Sequence, residues 1–553
     1  MVLSKHDWEY QQYWSLKNHP PRPEQKKIIS EIIEALEMGF KNIIVEAGTG
    51  TGKSAIATTI ARYVGDSYIL TMTKQLQNQY LDDFDYMLAE IKGKSNYQCG
   101  KINTTCDNCQ VDDYNDTLDV KKIPHCNDCS YRESLKHAQH SQVMLTNYDY
   151  LYMAGNYAGL FESRDLLILD ESHNLEKKIM SFIGKTLNRN KIYQHYHLDI
   201  FYPVTKGNTL KSIDNVDYWV GLLHNLSSKA NEYKTIGATR KLRELYAKDY
   251  QKFNYLIGML EDSETKFIIE LPTKKDILKD KPINGKFENG LKAEFKPLTI
   301  SDYSDQLLHF GEIRLFMTGT LGNKDKFCQW IGIDPKETYY IFVKSPFPKT
   351  NRPIIKSYIG SMSGRKGRNP NWRNPQAIQK IKELINKHRY EKGVIHTSSN
   401  QQAWFIKKML NSKNVWVAQG PTREDTIRRF EAAHKPVILI GAGLKDGVDF
   451  KGDKCRYQIM FKMPYPSLAG KQVNIRMHYD QSWYAYQTIM PLMQAYGRGI
   501  RDTDDYCVMY VLDSDFDRLL NQYKYLFNEY FLEAIKQPVN KPVPRPVKMN
   551  GGK

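Results

Sequence analysis

The sequence predicts an α/β protein with two parallel-sheet halves, and three observations carry that reading. "KNIIVEAGTGTGKSAIATTIAR" (41–62) runs as a short apolar strand, a glycine-rich loop and a helix. "LLILDES" (166–172) is apolar on both faces, as a strand inside a parallel sheet must be. A second alternation of strands and helices follows at "GVIHTSS" (393–399), "NVWVAQ" (414–419), "PVILIGAG" (436–443), "YQIMFKMP" (457–464) and "YCVMYVLD" (506–513). Such alternation makes crossover connections, hence parallel sheets.

The first half adds strands at "SYILTMT" (67–73) and "IRLFMTGTL" (313–321). Between about 180 and 300 the pattern turns polar and helical, rich in Lys, Tyr and Asn, which predicts a separate, mainly helical insertion. The last stretch, "KQPVNKPVPRPVKMNGGK", holds four prolines and five basic residues with no acid, and is expected to be disordered.

A chain of 553 residues exceeds one hydrophobic core, so three or four domains are expected. No run of 18 apolar residues is present, so no membrane span is expected. The start, "MVLSKHDWEYQQYW", lacks the apolar core of a secretory signal, which predicts a cytoplasmic chain. The net charge of +17 is compatible with a soluble surface and also points to a polyanion partner. The 37 tyrosines suit stacking on exposed bases, although most belong to core and surface.

"AGTGTGKS" (47–54) sits between strand and helix, the context a phosphate-binding loop requires. Ala47, Gly48, Thr49, Gly50, Thr51 and Gly52 let backbone N–H groups approach phosphates at a helix N-terminus. Lys53 would reach the β- and γ-phosphates, and the Ser54 hydroxyl would ligate Mg²⁺. "LILDESHN" supplies the other half. Asp170 ends a buried strand and can hold Mg²⁺; Glu171 can orient or activate the attacking water. ATP, or another nucleoside triphosphate, is the expected substrate. "QAYGRGIR" (494–501) puts Arg498 and Arg501 three apart on an expected helix face, from which they could cross a cleft to a transferring phosphate.

Five of the eight cysteines crowd together as Cys99-x6-Cys106-x2-Cys109-x16-Cys126-x2-Cys129. In a cytosolic chain this spacing indicates a metal or a cluster rather than disulfides. Cys106, Cys109, Cys126 and Cys129 alone form CxxC-x16-CxxC, a tetrahedral zinc pattern that leaves Cys99 over. Either way the metal would staple a polar lobe that has little core of its own. Cys328, Cys455 and Cys507 lie at or near apolar elements and read as packing residues.

Together these residues resemble the XPD/DinG-type superfamily 2 DNA helicases, with matches in the family's order along most of the chain. "RPEQ" resembles the adenine-side motif, with Arg22 and Gln25; "AGTGTGKS" resembles motif I; "LTMTKQLQNQ" (70–79) resembles motif Ia. "KGKSNYQC" resembles the lead-in to the family's cluster domain, and "CSYRESLKHAQHSQVMLTNYDYL" (129–151) the exit from it. "DESH" stands where the family has DEAH, keeping Asp170, Glu171 and His173. "FMTGTL" resembles motif III, "SPFPKTNRP" the segment that follows, "GAGLKDGVDFKGD" motif V with Asp446, Gly447 and Asp449, and "QAYGRGIR" motif VI with Gln494.

The resemblance implies two RecA-like parallel-sheet motor domains, one at 1–92, 147–180 and 300–340 and one at 341–535. It implies an iron–sulfur cluster lobe at 93–146 and an Arch-like helical insertion at 181–299, placed by order alone, with a basic tail at 536–553. It further implies ATP, Mg²⁺ and a four-iron four-sulfur cluster held by Cys99, Cys106, Cys109 and Cys129, with Cys126 spare and Zn²⁺ as the alternative metal. The implied partners are single-stranded and forked duplex DNA, contacted through Thr73, Lys74, Lys92, Lys94 and Arg132 by a monomer. The implied activity is ATP-dependent unwinding in the 5′→3′ sense, in repair or replication; the composition suggests a phage or bacterial source. An RNA-directed or protein-displacing translocase and a zinc-stabilised nucleic-acid-binding ATPase are the alternatives.

Overall fold

The computed structural model describes residues 8–536 apart from 18, 49, 100–102, 109–128, 263–266, 345–346, 367–368, 445–449, 451 and 501–502. The expectations for Thr49, Cys109, Cys126, Asp446, Gly447, Asp449, Arg501 and the basic tail beyond 536 therefore lie outside the described residues.

Two seven-stranded parallel sheets organise the chain. The first contains β1 (Asn42–Ala47), β2 (Ser67–Thr71), β3 (Ala89–Glu90), β4 (Val143–Asn147) and β5 (Arg164–Asp170). An inserted sheet follows, with β6 (Lys185–Asn188), β7 (Phe267–Glu270) and β8 (Lys292–Pro297). β9 (Gly311–Thr318) and β10 (Thr338–Val343) then return to the first sheet, whose order is β10-β1-β9-β5-β2-β4-β3. The second sheet uses β11 (Ile354–Gly360), β12 (Gly393–Thr397), β13 (Val415–Val417), β14 (Ile438–Ala442), β15 (Tyr457–Met460), β16 (Val508–Asp513) and β17 (Ile535–Lys536), in the order β13-β14-β12-β15-β16-β11-β17.

Every residue of β1 is buried, because helices cover both faces of the sheet. Ile43 and Val45 enter one core with Ile56 and Ile60; Ile44 enters the other with Leu169 and Phe316. The helices needed below are α1 (Pro23–Glu37), α2 (Lys53–Val64), α3 (Lys74–Phe84), α4 (Ser130–His140), α5 (Tyr148–Asn156), α6 (Leu175–Ile183), α7 (Val216–Ile236), α8 (Arg240–Glu261), α9 (Lys471–Tyr479) and α10 (Gln481–Tyr496). Among the described residues no helix is long and apolar enough to cross a membrane.

The segment from 180 to 300 is less purely helical than its sequence suggests. α7 and α8 are its longest elements, but a three-stranded antiparallel sheet in the order β6-β8-β7 accompanies them. In "KAEFKP" Ala293, Phe295 and Pro297 are buried while Lys292, Glu294 and Lys296 face outward. Lysine-flanked alternation over six residues is a weak strand signal, and long-range pairing decides it.

Candidate active site

In a parallel sheet the strands deliver their chemistry at their C-terminal ends, and here β1, β5 and β9 do so side by side. In the loop after β1, Gly50 and Gly52 take φ of 87° and 77°. A Cβ on Gly52 would stand 2.2 Å from Gln25 Nε2, so close approach as well as conformation demands glycine. Gln25 Nε2 donates to Thr51 O at 2.9 Å, Arg22 donates to Gly50 O at 2.9 Å, and the Arg22 N–H donates to Gln25 Oε1 at 2.9 Å. Arg22 and Gln25 thus brace the loop's backbone. Thr51 Oγ1 donates to Gly48 O at 2.9 Å, and Lys53 Nζ to Ala47 O at 3.3 Å. Ser54 follows in the first turn of α2.

Asp170 is 3% exposed at the end of β5. Its Oδ1 accepts the Glu171 N–H at 2.9 Å and its Oδ2 accepts the Tyr80 hydroxyl at 3.0 Å. Burial, reinforced by the neighbouring Glu171, raises its pKa to about 6; Lys53 and Tyr80 oppose the rise. Glu171 adopts φ 54°, ψ 40°, a left-handed conformation costly for a residue with a Cβ. His173 Nδ1 lies 2.9 Å from Thr318 Oγ1 at the end of β9 and 3.3 Å from Glu171 Oε2. Asn174 Nδ2 meets His173 Nε2 at 2.7 Å, and because that nitrogen accepts, Nδ1 carries the proton.

The second half of the chain faces these groups across a cleft of about 980 Å³ lined by Lys53, Asp170, Glu171, His173, Gln494 and Arg498 among others. α10 ends at Tyr496, so Arg498 lies in the turn beyond it and not on the helix face expected from the sequence. Glu176 of α6, 9% exposed, ties the halves together. It ion-pairs with Arg476 and accepts from Trp483 Nε1 at 2.9 Å and Gln487 Nε2 at 3.1 Å.

Residues absent from the sequence reading include Tyr80, Tyr148, Glu46 and Glu176. Tyr148 donates to the Asp170 carbonyl at 2.9 Å. Glu46 accepts from both halves of the chain, including Asn528 Nδ2 at 3.0 Å. Glu46 sits next to the glycine-rich loop, a carboxylate in an apolar strand, and that was a usable signal. Nothing in the sequence marks Tyr80 or Tyr148.

The cysteine lobe leaves the sheet after β3 and returns through α4 to β4, which pairs with β3 in parallel. The Cys99 N–H donates to Thr104 O and the Cys106 N–H to Tyr97 O, each at 2.9 Å. Cys106 Sγ and Cys129 Sγ stand 3.8 Å apart. Among the described residues no three His, Cys, Asp or Glu form a group that could hold a metal ion. The donors present are thiols, a chemistry that suits an iron–sulfur cluster or zinc. Lys94 and Arg132 line a cavity of about 440 Å³ beside Cys106 and Cys129. Thr73 and Lys74 open α3, where Lys74 Nζ donates to Asn96 Oδ1 at 2.5 Å. Lys92 pairs with Glu90 at 2.7 Å. Cys328, Cys455 and Cys507 are buried, as packing residues should be.

Two family models match the sequence: "Helicase C-terminal domain" over residues 381–533, and "Type III restriction enzyme, res subunit" over 18–199. The fold is similar to that of S. tokodaii Xpd4, at 15% identity over 93% of this chain and 100% of that one, with a TM-score of 0.56. It is similar also to an XPD helicase structure, at 16% identity over 93% of this chain and 99% of that one, with a TM-score of 0.58. At these identities the likeness establishes the fold: two parallel-sheet domains arranged as in XPD helicases.

Proposed function

We infer that this superfamily 2 helicase of the XPD/DinG type hydrolyses ATP to move along single-stranded DNA, 5′→3′, and separates the duplex it meets. The cleft carries this reading. It gathers Lys53, Ser54, Asp170 and Glu171 from one half and Gln494 and Arg498 from the other around a space that suits a nucleotide. In the proposed reaction Lys53 draws in the phosphates. Water attacks the γ-phosphorus as the bond to the β–γ bridging oxygen breaks, and Glu171 takes the water's proton. Arg498 meets the charge that develops, which is why closure of the two halves would govern turnover. The Ser54 hydroxyl and the Asp170 carboxylate are all-oxygen donors that fit Mg²⁺, which when bound neutralises phosphate charge. Arg501, Gly447 and Asp449 are proposed for the same cleft on the motif resemblance alone.

Thr73, Lys74, Lys92, Lys94 and Arg132 are proposed to follow the DNA backbone into the cysteine lobe. Cys99, Cys106, Cys109 and Cys129 would hold the cluster the resemblance implies. The 3.8 Å separation of Cys106 and Cys129 favours a second reading. Four thiolates about one zinc at about 2.3 Å stand about 3.8 Å apart, whereas cluster thiolates each bind their own iron and stand further apart. The test is strand displacement on 5′- and 3′-tailed duplexes, ATPase with single-stranded DNA against RNA, and iron and zinc analysis of the anaerobically purified protein. Displacement of 5′-tailed duplexes alone supports the inferred polarity. Stimulation by RNA alone refutes the DNA assignment.

A further inference from the structure

The geometry points to Tyr80 as a positioning residue that links the nucleic-acid-facing end of α3 to the Mg²⁺-binding groups; the inference rests on the ATPase reading above. Tyr80 is 0% exposed, and its hydroxyl donates to Asp170 Oδ2 at 3.0 Å. One phenol thus ties α3 to a carboxylate proposed to hold the metal at the end of β5.

Tyr80 also lies on α3, whose N-cap is Thr73 and whose first residue is Lys74. Seven residues, about two helical turns or about 10 Å, separate Thr73 from Tyr80, which puts them near one face of a single helix. Thr73 and Leu76 line the cleft with Asp170. α3 is also tied to the strand leading into the cysteine lobe: Gln77 Nε2, on the same face as Tyr80, donates to Ile91 O at 3.3 Å, and Lys92 Nζ to Asn78 Oδ1 at 3.1 Å. A strand bound at the first turn of α3 therefore acts on a helix that moves as a unit, and the hydroxyl two turns later sets how the Asp170 carboxylate faces the metal-binding space. Coupling needs such a physical element, biased from both ends.

The test compares Tyr80→Phe with the parent in two measurements. One is equilibrium binding of a fluorescent ADP as Mg²⁺ is titrated. The other is the factor by which single-stranded DNA accelerates ATP hydrolysis. Losing a hydrogen bond to a charged group should raise the Mg²⁺ requirement about tenfold and cut the acceleration factor by a similar amount, with DNA binding in the absence of nucleotide unchanged. Tyr148→Phe, which loses a hydroxyl bonded to the backbone of Asp170, should keep the parent's Mg²⁺ requirement. Tyr80→Met, which lacks the hydroxyl and whose flexible side chain fills more of the buried space than a shorter aliphatic would, should reproduce the shift if the phenylalanine variant folds poorly. Parent-like values in both measurements overturn the proposal. So does a shifted Mg²⁺ requirement with unchanged DNA acceleration, or an equal shift in Tyr148→Phe. Lys53→Ala separates the two levels: if it still hydrolyses ATP, the ATPase reading fails whatever Tyr80 does.

Discussion

Replacing Glu46 by glutamine should slow turnover without loosening nucleotide binding. Glu46 is 2% exposed and its carboxylate accepts four hydrogen bonds. Oε1 takes Leu321 N–H at 2.9 Å and Asn528 Nδ2 at 3.0 Å; Oε2 takes Gly322 N–H at 3.3 Å and the Tyr340 hydroxyl at 2.7 Å. Glutamine keeps the shape but turns one acceptor into a donor. With the amide nitrogen at Oε1, both facing groups clash, because Asn528 Oδ1 is already engaged by the Phe531 N–H at 3.0 Å. With it at Oε2, the Tyr340 hydroxyl can rotate to accept, and only Gly322 N–H is orphaned. The second arrangement is cheaper and leaves one buried donor unsatisfied, about 1–3 kcal/mol. If all of that is felt in the transition state, kcat falls about 5- to 150-fold. The KM for ATP should change little, since Glu46 does not donate to the loop. Steady-state ATPase with saturating single-stranded DNA and urea unfolding are the assays. Asn528→Ala, which removes this bond between the two halves together with the side-chain cap on the Phe531 N–H, should lower kcat and also cost stability, about 1 kcal/mol for the cap. A parent-like kcat in Glu46→Gln together with a lowered urea midpoint would refute the argument and leave Glu46 a support of the sheet alone.

At limiting Mg²⁺, ATPase should fall about tenfold from pH 7 to pH 5, because a carboxylate with a pKa of about 6 is about nine-tenths ionised at the first and one-tenth at the second. The ionised form binds the metal, so saturating Mg²⁺ should move this acid limb to lower pH; a limb indifferent to Mg²⁺ counts against Asp170 as a ligand. Lys53→Ala should abolish hydrolysis while retaining DNA binding, and Glu171→Gln should bind ATP without turning it over, both read by filter binding and phosphate release. Elemental analysis of Cys99→Ser and Cys126→Ser discriminates the metals: a zinc site loses its metal with Cys126 and keeps it with Cys99, and an iron–sulfur cluster does the reverse. Binding to single-stranded DNA should weaken steeply between low and moderate salt as condensed cations compete; a flat salt titration contradicts a phosphate-following surface.

The phosphate loop, the strand ending in Asp170 and the two sheets were legible because each rests on short-range pattern: apolar strand, glycine loop, helix. Gly52 illustrates the limit. Its type was expected for phosphate approach, yet the tightest constraint on it comes from Gln25, 27 positions upstream, at 2.2 Å. The end of α10 was misread because "QAYGRGIR" continues a helical spacing that the structure stops at Tyr496, with Gly497 as cap. β6, β7 and β8 escaped notice because their strength lies in pairing between segments distant in sequence, β6 with β8 across more than 100 residues, rather than in their own composition. Tyr80 was invisible for a different reason: a tyrosine at an inward position of an amphipathic helix is what any core would supply, and only the carboxylate opposite gives its hydroxyl work.

The same distinction explains why this architecture tolerates a polar, cysteine-rich insertion beside its phosphate site. β3 and β4 are neighbours in the sheet and pair in register, Ala89 with Met144 and Glu90 with Leu145, although the whole lobe lies between them in sequence. Because the two strands are parallel, the lobe leaves from the C-terminal end of β3 and α4 carries the chain back to the N-terminal end of β4, with Tyr131 and Ala138 of α4 buried in the sheet's core. What passes between lobe and nucleotide site must go through the elements at that junction. Thr146 Oγ1 and Gln77 Nε2 both donate to Ile91 O, at 2.8 and 3.3 Å, so the strand entering the lobe, the strand leaving it and α3 meet at one carbonyl. From there α3 leads to Tyr80 and Asp170, and β4 leads through Tyr148 to the carbonyl of the same aspartate. Two rigid elements rooted at the lobe's base thus end on one residue of the nucleotide site, one on its carboxylate and one on its backbone. Only the first bears on the atoms proposed to hold the metal, and that asymmetry makes the two hydroxyls separable by experiment.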